Sequence, residues 1–190
     1  MRCESDGSIR CVELTAVGHI FCGGSDLGAL TVADVSLPRV LSEFVGTLDM
    51  AVWKLMRMRK PLLVLVNGPA AGAGLGLAIM GDIVLAATSA DFIAAFDDVG
   101  LTADGGLSWQ LPRLIGLRRS QEILITNRRV TAEEAEGMGL ITRVVDDEAL
   151  AAEGAALESS WPDLRLARLA ACGACCWKVS TAVWRRPGPR

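Results

Sequence analysis

Apolar residues occur along the chain in two patterns, short continuous runs and longer stretches with helical spacing. The clearest run is Leu62 to Val66, which is bounded by Pro61 and Asn67 and is typical of a buried parallel strand. From Leu37 to Met58, apolar residues recur every three or four positions, which predicts a long helix. Runs and helical stretches then alternate along the chain. This order favours an α/β fold with right-handed crossovers.

The other predicted elements follow the same reasoning. Further strands are predicted at residues 10–15, 82–87, 92–95 and 140–145, and further helices at residues 72–80, 105–115, 118–125 and after Asp146 or Asp147, which would cap the last one. Thr131 and Glu134 form a capping-box signature before a short helix that stops at Gly137 or Gly139. Together these elements predict one core domain over residues 1–160.

Composition and charge exclude several classes of protein. A chain of 190 residues with 51% hydrophobic residues can bury a sizeable core. Its net charge of −3 argues against nucleic-acid binding, which needs a basic face. The apolar stretch over residues 69–87 is interrupted by glycines and Asp82, so no membrane span is predicted. Because no secretory signal is visible, we expect a cytoplasmic location.

The composition changes near residue 160. Residues 161–190 contain six basic residues and one acidic residue, with three of the five tryptophans. Either this is a basic tail that binds an anionic partner, or it is a non-native terminus such as a frameshift product, which we favour. Cys172, Cys175 and Cys176 cluster there, but no second cysteine pair or histidine lies nearby. We therefore predict reduced thiols and no metal site.

Two glycine-rich turns, residues 19–27 and 67–77, each follow a predicted strand. Glycine lets backbone N–H groups approach a ligand without a Cβ in the way, and the second turn leads into a helix N-terminus. If the turns face each other, each can donate one N–H group to a developing oxyanion. Two alternatives remain: a phosphate cradle, although Leu77 replaces the third glycine of the dinucleotide fingerprint, and a tight strand–helix junction.

In four segments the chain resembles the enoyl-CoA hydratase/isomerase (crotonase) family. These are Phe-Cys-Gly-Gly-Ser-Asp-Leu at 21–27, Val-Asn-Gly-Pro-Ala-Ala-Gly-Ala-Gly at 66–74, Ala-Asp-Gly-Gly-Leu-Ser-Trp-Gln-Leu-Pro-Arg at 103–113 and Thr-Ala-Glu-Glu-Ala-Glu-Gly-Met-Gly-Leu-Ile at 131–141. They occur in the family's order, and the resemblance covers residues 8–158. It implies a spiral of strand–strand–helix repeats that assembles as trimers or pairs of trimers. It also implies an acyl-CoA thioester substrate and no cofactor, because coenzyme A is part of the substrate.

The resemblance also implies a set of site residues. The backbone N–H groups of Ser25 and Ala73 would polarise the thioester carbonyl. The substrate pocket would be lined by Gly24, Gly72, Gly74, Phe96, Gly105 and Trp109.

The carboxylates distinguish between the family's reactions. Hydratases of this family use two glutamates, and the corresponding positions hold Gly76 and Phe96, which disfavours hydration. Asp97 and Asp98 lie nearby, but adjacent residues on an extended chain point in opposite directions. Asp104 matches the aspartate of isomerase-like members, including the 1,2-epoxyphenylacetyl-CoA isomerase type. One carboxylate suffices to move a proton between two carbons of a dienolate, although Asp104 is also suited to cap the helix that follows.

Relative to the family, the chain starts late and lacks the usual C-terminal helices, so we expect a truncated member. Three hypotheses follow: an enoyl-CoA isomerase that uses Asp104, a hydratase or other crotonase reaction that uses Asp97 or Asp98, and a catalytically inactive fragment.

Overall fold

The computed structural model describes residues 2–6, 8–26, 37–97 and 100–160. Its elements in chain order are α1 (Arg2–Ser5), β1 (Val12–Leu14), α2 (Leu37–Met56), β2 (Leu62–Val66), β3 (Ala70–Ala71), α3 (Ala73–Ala78), β4 (Ile83–Ala87), β5 (Asp91–Ile93), α4 (Leu107–Leu114), α5 (Leu117–Thr126), β6 (Val130–Thr131), α6 (Ala132–Met138), β7 (Arg143–Val145), a 3-10 turn (Asp147–Ala149) and α7 (Leu150–Ser160). Strand and helix thus alternate as the apolar pattern predicts, and the predicted α/β class is confirmed.

Two sheets organise the fold. The larger sheet has the strand order β1-β2-β4-β7, and all its pairs are parallel. The smaller sheet has the order β3-β5-β6, in which β3 and β5 are parallel and β5 and β6 are antiparallel. Parallel neighbours need long crossovers, and the helices between the strands supply them.

Strand β2 is buried on both faces, which explains its continuous apolar run. Because side chains alternate along a strand, Leu63 and Leu65 point to one face and Leu62, Val64 and Val66 to the other. The first face packs with Leu150 of α7 in a small cluster. The second belongs to the main core. The site described below lies on the side of the main core.

The predicted helix caps and helix ends were confirmed only in part. Thr131 caps α6 by accepting a hydrogen bond from the Glu134 amide at 3.2 Å, and Gly139 ends it in the left-handed region with φ 81°. The Glu134 carboxylate does not complete a capping box, because it binds the Arg128 guanidinium at 2.6 and 2.9 Å. The prediction that Asp146 or Asp147 caps the last helix was wrong. Asp147 instead accepts a hydrogen bond from the Ser89 amide at 3.0 Å, and Asp146 makes no side-chain cap bond.

Two further observations bear on the predictions. Among the helices of the described ranges, none is long and apolar enough to cross a membrane. Cys3, Cys11 and Cys22 are free, and burial raises the pKa of the Cys11 thiol to about 11, assisted by Glu158. Within the described residues, no cluster of histidine, cysteine or carboxylate side chains could hold a metal ion. The predicted basic tail and its cysteine cluster lie outside the described residues.

Candidate active site

The two glycine-rich turns face each other, which is the condition for both to donate to one oxyanion. The amides of Phe21 and Cys22 donate to the Pro69 carbonyl at 3.0 and 3.2 Å, and the Ala71 amide donates back to the Cys22 carbonyl at 2.8 Å. Cys22 also bridges Ala70 in parallel. The first turn therefore extends the small sheet at the edge formed by β3.

Glycines allow the close approach of these turns. A Cβ on Gly74 would lie 2.1 Å from the Cys22 carbonyl oxygen, which no other residue could tolerate. Gly24 has φ +90°, and its Cβ position lies 3.0 Å from the Ala71 carbonyl oxygen and 3.7 Å from the Ala73 nitrogen. The backbone just before Ser25 is thus next to the backbone that carries the Ala73 amide.

Gly72 and Ala73 join β3 to α3. The Gly72 amide donates to the Ile93 carbonyl at 3.1 Å, and Gly72 has φ +55°, a left-handed conformation that glycine adopts readily. Ala73 is the first residue of α3, so its amide has no acceptor within the helix. Within the described part of the chain, neither the Ala73 nor the Ser25 amide donates to a protein group. The role of these two amides as oxyanion donors stays a prediction.

A close approach of Gly76 and Gly105 brings the segment of residues 103–113 to the start of α3. A Cβ on Gly76 would lie 2.8 Å from the Gly105 carbonyl oxygen. Gly105 itself has φ +57°, and its Cβ position is 3.9 Å from the Ala73 Cα atom and 3.5 Å from a Leu48 methyl group of α2. The Asp104–Gly106 turn thus lies directly against the start of α3. The position of the first hydratase glutamate is filled by backbone.

Asp104 lies on this turn, half-buried. Burial raises the pKa of its carboxyl above the usual value, the negative charge of Asp49 on α2 adds to the increase, and a hydrogen bond from its own amide opposes it. Its Oδ1 atom is buried and has no hydrogen-bond partner within the described residues. A carboxylate in such surroundings is a stronger base than one in water.

The structure contradicts the alternative in which Asp104 caps the helix. Helix α4 begins at Leu107, its N-cap is Gly106 in the left-handed conformation, and no side chain caps it. The Asp104 main-chain carbonyl, not its carboxylate, accepts the Leu107 amide at 2.9 Å. The carboxylate is therefore not engaged in holding the helix.

The other predicted residues are placed as follows. Phe96 is buried at 8% exposure, so an apolar ring occupies the position of the second hydratase glutamate. Asp97 is exposed at the surface, and Asp98 lies outside the described residues. Trp109 is half-buried on α4, and the Arg113 guanidinium stacks over its ring at 4.1 Å and donates to its carbonyl at 2.8 Å. Arg113 thus helps fix the Trp109 ring.

Two residues of this region were missed from the sequence. Asp49 belongs to the mostly exposed α2, and nothing in its local pattern indicates that its charge acts on Asp104. Gln110 did leave a signal, because it interrupts an apolar stripe on α4 formed by Leu107, Leu111 and Leu114. The structure buries Gln110 completely.

Comparisons with known proteins agree with this geometry. The family described as enoyl-CoA hydratase/isomerase matches residues 1–170. The chain therefore belongs to the enoyl-CoA hydratase/isomerase family, a family of enzymes that act on acyl-CoA thioesters.

Individual relatives give the same family. The chain is 42% identical over 152 residues to the 1,2-epoxyphenylacetyl-CoA isomerase of Escherichia coli (strain K12), covering 78% of this chain and 57% of that protein. It is 41% identical over 141 residues to a probable enoyl-CoA hydratase of Rhodobacter capsulatus, covering 74% and 54%. The chain thus spans about half the length of the curated relatives it matches.

A solved structure supports the predicted crotonase-like fold. The enoyl-CoA hydratase of Polaromonas sp. JS666 superposes with a TM-score of 0.84 at 29% identity, covering 94% of this chain and 69% of that one.

Proposed function

We propose that the protein shifts the double bond of an enoyl-CoA thioester through an oxyanion-stabilised enolate. The Ser25 and Ala73 amides would hold the thioester oxygen, and the Asp104 carboxylate would remove a proton from the α carbon and return it to the γ carbon. The proton that leaves one carbon arrives at another, so the substrate and product are isomers. The reaction requires no group besides the coenzyme A of the substrate.

The observation that carries this proposal is the state of Asp104. Its carboxylate is half-buried and has a raised pKa, and its Oδ1 atom has no hydrogen-bond partner among the described residues, on a turn that lies against Ala73. A general base must be ionised in use, yet it is most effective when its pKa is close to the working pH. Burial and Asp49 move the pKa in that direction.

The two glutamate positions support isomerisation over hydration. Water addition needs an acid and a base on both reacting atoms. Position 76 has no space for a side chain, and position 96 holds a buried ring. Asp104 is then the carboxylate on the turn that lies against α3, and one carboxylate is enough for isomerisation.

Hydration remains the second candidate, because the Rhodobacter capsulatus relative is a probable enoyl-CoA hydratase. A hydratase would have to draw on a further carboxylate. Asp97, which is exposed, is the described residue predicted for that role.

The test is the conversion of 3-hexenoyl-CoA to 2-hexenoyl-CoA by the purified chain. We expect Asp104→Asn to lower kcat by about a hundredfold or more, because general-base catalysis contributes roughly 10²–10⁴-fold. The matched control is Asp97→Asn, which removes an exposed carboxylate nearby and should leave the rate unchanged. An unchanged rate for Asp104→Asn would exclude Asp104 as the base. Hydration of 2-hexenoyl-CoA that depends on Asp97 would support the hydratase instead.

A further inference from the structure

Gln110 on α4 is a polar side chain in an apolar environment. It is fully buried, and its neighbours on the same helix face, Leu107 and Leu111, are fully buried too. Neither its Nε2 nor its Oε1 atom has a hydrogen-bond partner within the described residues. An unpaired buried amide destabilises the folded protein, and a leucine would fill the same space without that cost.

The position of the amide relates it to the candidate active site. The Gln110 Nε2 atom lies 3.1 Å from the Cβ position of Gly106, and a Val52 methyl group lies 3.3 Å from the same point. Gly106 follows Gly105, whose Cβ position is 3.9 Å from Ala73. The Gln110 amide therefore lies beside Gly106, on the same turn as Asp104 and Gly105.

Helix α2 covers this region loosely. Among its described side chains, Val52 is the buried one, whereas Phe44, Met50 and Trp53 are exposed at 40%, 59% and 59%. The Gln110 amide thus lies between the Asp104 turn and a helix held by few buried side chains.

We propose that Gln110 determines substrate specificity by binding a hydroxyl group on the acyl chain of the thioester. A hydroxyl group matches a primary amide, because it can donate to Oε1 and accept from Nε2. The inference rests on the proposed acyl-CoA site and adds the chemical class of its acyl group. A purely aliphatic chain would leave the amide unpaired, whereas a hydroxylated chain satisfies it.

The test is calorimetric binding of saturated thioesters, which do not turn over, to the full chain. The probes are hexanoyl-CoA, 4-hydroxyhexanoyl-CoA and 6-hydroxyhexanoyl-CoA. We expect at least one hydroxylated thioester to bind about tenfold more tightly than hexanoyl-CoA, the effect of one or two neutral hydrogen bonds. Gln110→Leu should abolish that preference without weakening the binding of hexanoyl-CoA.

Control variants make the result specific. Gln121→Leu changes an exposed glutamine on the next helix and should keep the preference. Gln110→Met keeps the unbranched shape without the amide, so it tests the inference if the leucine variant folds poorly.

The possible failures are distinguishable. Equal binding of all three probes by the unmodified chain, or a preference that survives both Gln110 variants, would overturn the role of Gln110. A preference that depends on Gln110 without any conversion of 3-hexenoyl-CoA would support the role of Gln110 and overturn only the isomerase. The absence of binding by every probe would overturn the acyl-CoA site and this inference with it.

Discussion

At the scale of single residues, the chemistry depends on how one carboxylate is surrounded. Asp104 is half-buried, and the nearby Asp49 has the same charge, so both effects favour its protonated form. Neither effect requires a dedicated partner. Exclusion of water and the neighbouring negative charge of Asp49 thus raise the pKa of Asp104.

We expect Asp49→Asn to shift the pH dependence of isomerisation. Asp104 acts as a base when it is ionised, so kcat/KM should fall as the pH drops through its raised pKa. Removal of the Asp49 charge lowers that pKa, and the fall should move to lower pH. A kcat/KM profile between pH 4 and 8 measures the shift, which should shrink at high salt because Asp49 is exposed.

The control for this shift is Glu43→Gln, which removes an exposed acid of the same helix that pairs with Arg39. In this variant, kcat/KM should fall at the same pH as in the unmodified chain. If Asp49→Asn gives the same profile as Glu43→Gln, the charge of Asp49 does not act on the base.

At the scale of elements, the contact between α3 and the Asp104 turn defines the site. Gly76 and Gly105 meet without side chains, and a Cβ at position 76 would lie 2.8 Å from a carbonyl oxygen. The missing glutamate and the close packing are therefore two aspects of one arrangement. The turn that carries Asp104 can lie against the start of α3 because Gly76 has no side chain.

Gly76→Glu should accordingly fail to create a hydratase. We expect no gain in hydration of 2-hexenoyl-CoA and a loss of about 1–3 kcal/mol in the free energy of unfolding, the usual cost of overpacking. Urea unfolding measures the loss. Gly46→Glu is the matched control, since a Cβ on Gly46 meets no atom within 4 Å and Glu is the better helix former. Hydratase activity in a Gly76→Glu variant of full stability would contradict this account.

The elements also show what the sequence can predict. β2 was predicted with its observed bounds because burial on both faces leaves a continuous apolar run between Pro61 and Asn67. The glycines indicated the two turns but not that the turns face each other. The Gly76–Gly105 contact was not predictable, because it joins segments that are adjacent only after folding. Gln110 was visible as a break in an apolar stripe, but only the packed structure shows that its amide has no partner among the described residues.

At the scale of the whole molecule, several large apolar side chains are exposed. On α5, Leu117 is 60% exposed and Ile125 is 72% exposed, and they lie two helical turns apart on one side. Exposed apolar surface of this kind is typical of an interface. The trimer that the family resemblance implies stays a prediction, and this helix is a candidate contact.

We expect sedimentation velocity to show an assembly larger than one chain, and we expect Leu117→Lys with Ile125→Lys to reduce its mass towards that of the monomer. Charged side chains at a buried contact would lack partners, which is costly. Val17→Lys is the control, because Val17 is a fully exposed apolar residue that precedes the first glycine-rich turn. An unchanged sedimentation coefficient for the double variant would place any interface elsewhere.

The strand order β1-β2-β4-β7 has a consequence for how the chain folds as it is synthesised. β2 and β4 are separated only by the short elements β3 and α3, so they can pair soon after both have left the ribosome, while β7 pairs with β4 only much later. Until then one edge of β4, together with the face that α7 later covers, is unprotected, and such edges promote aggregation. Synthesis that is interrupted before residue 145 would therefore leave the β4 edge without its β7 partner.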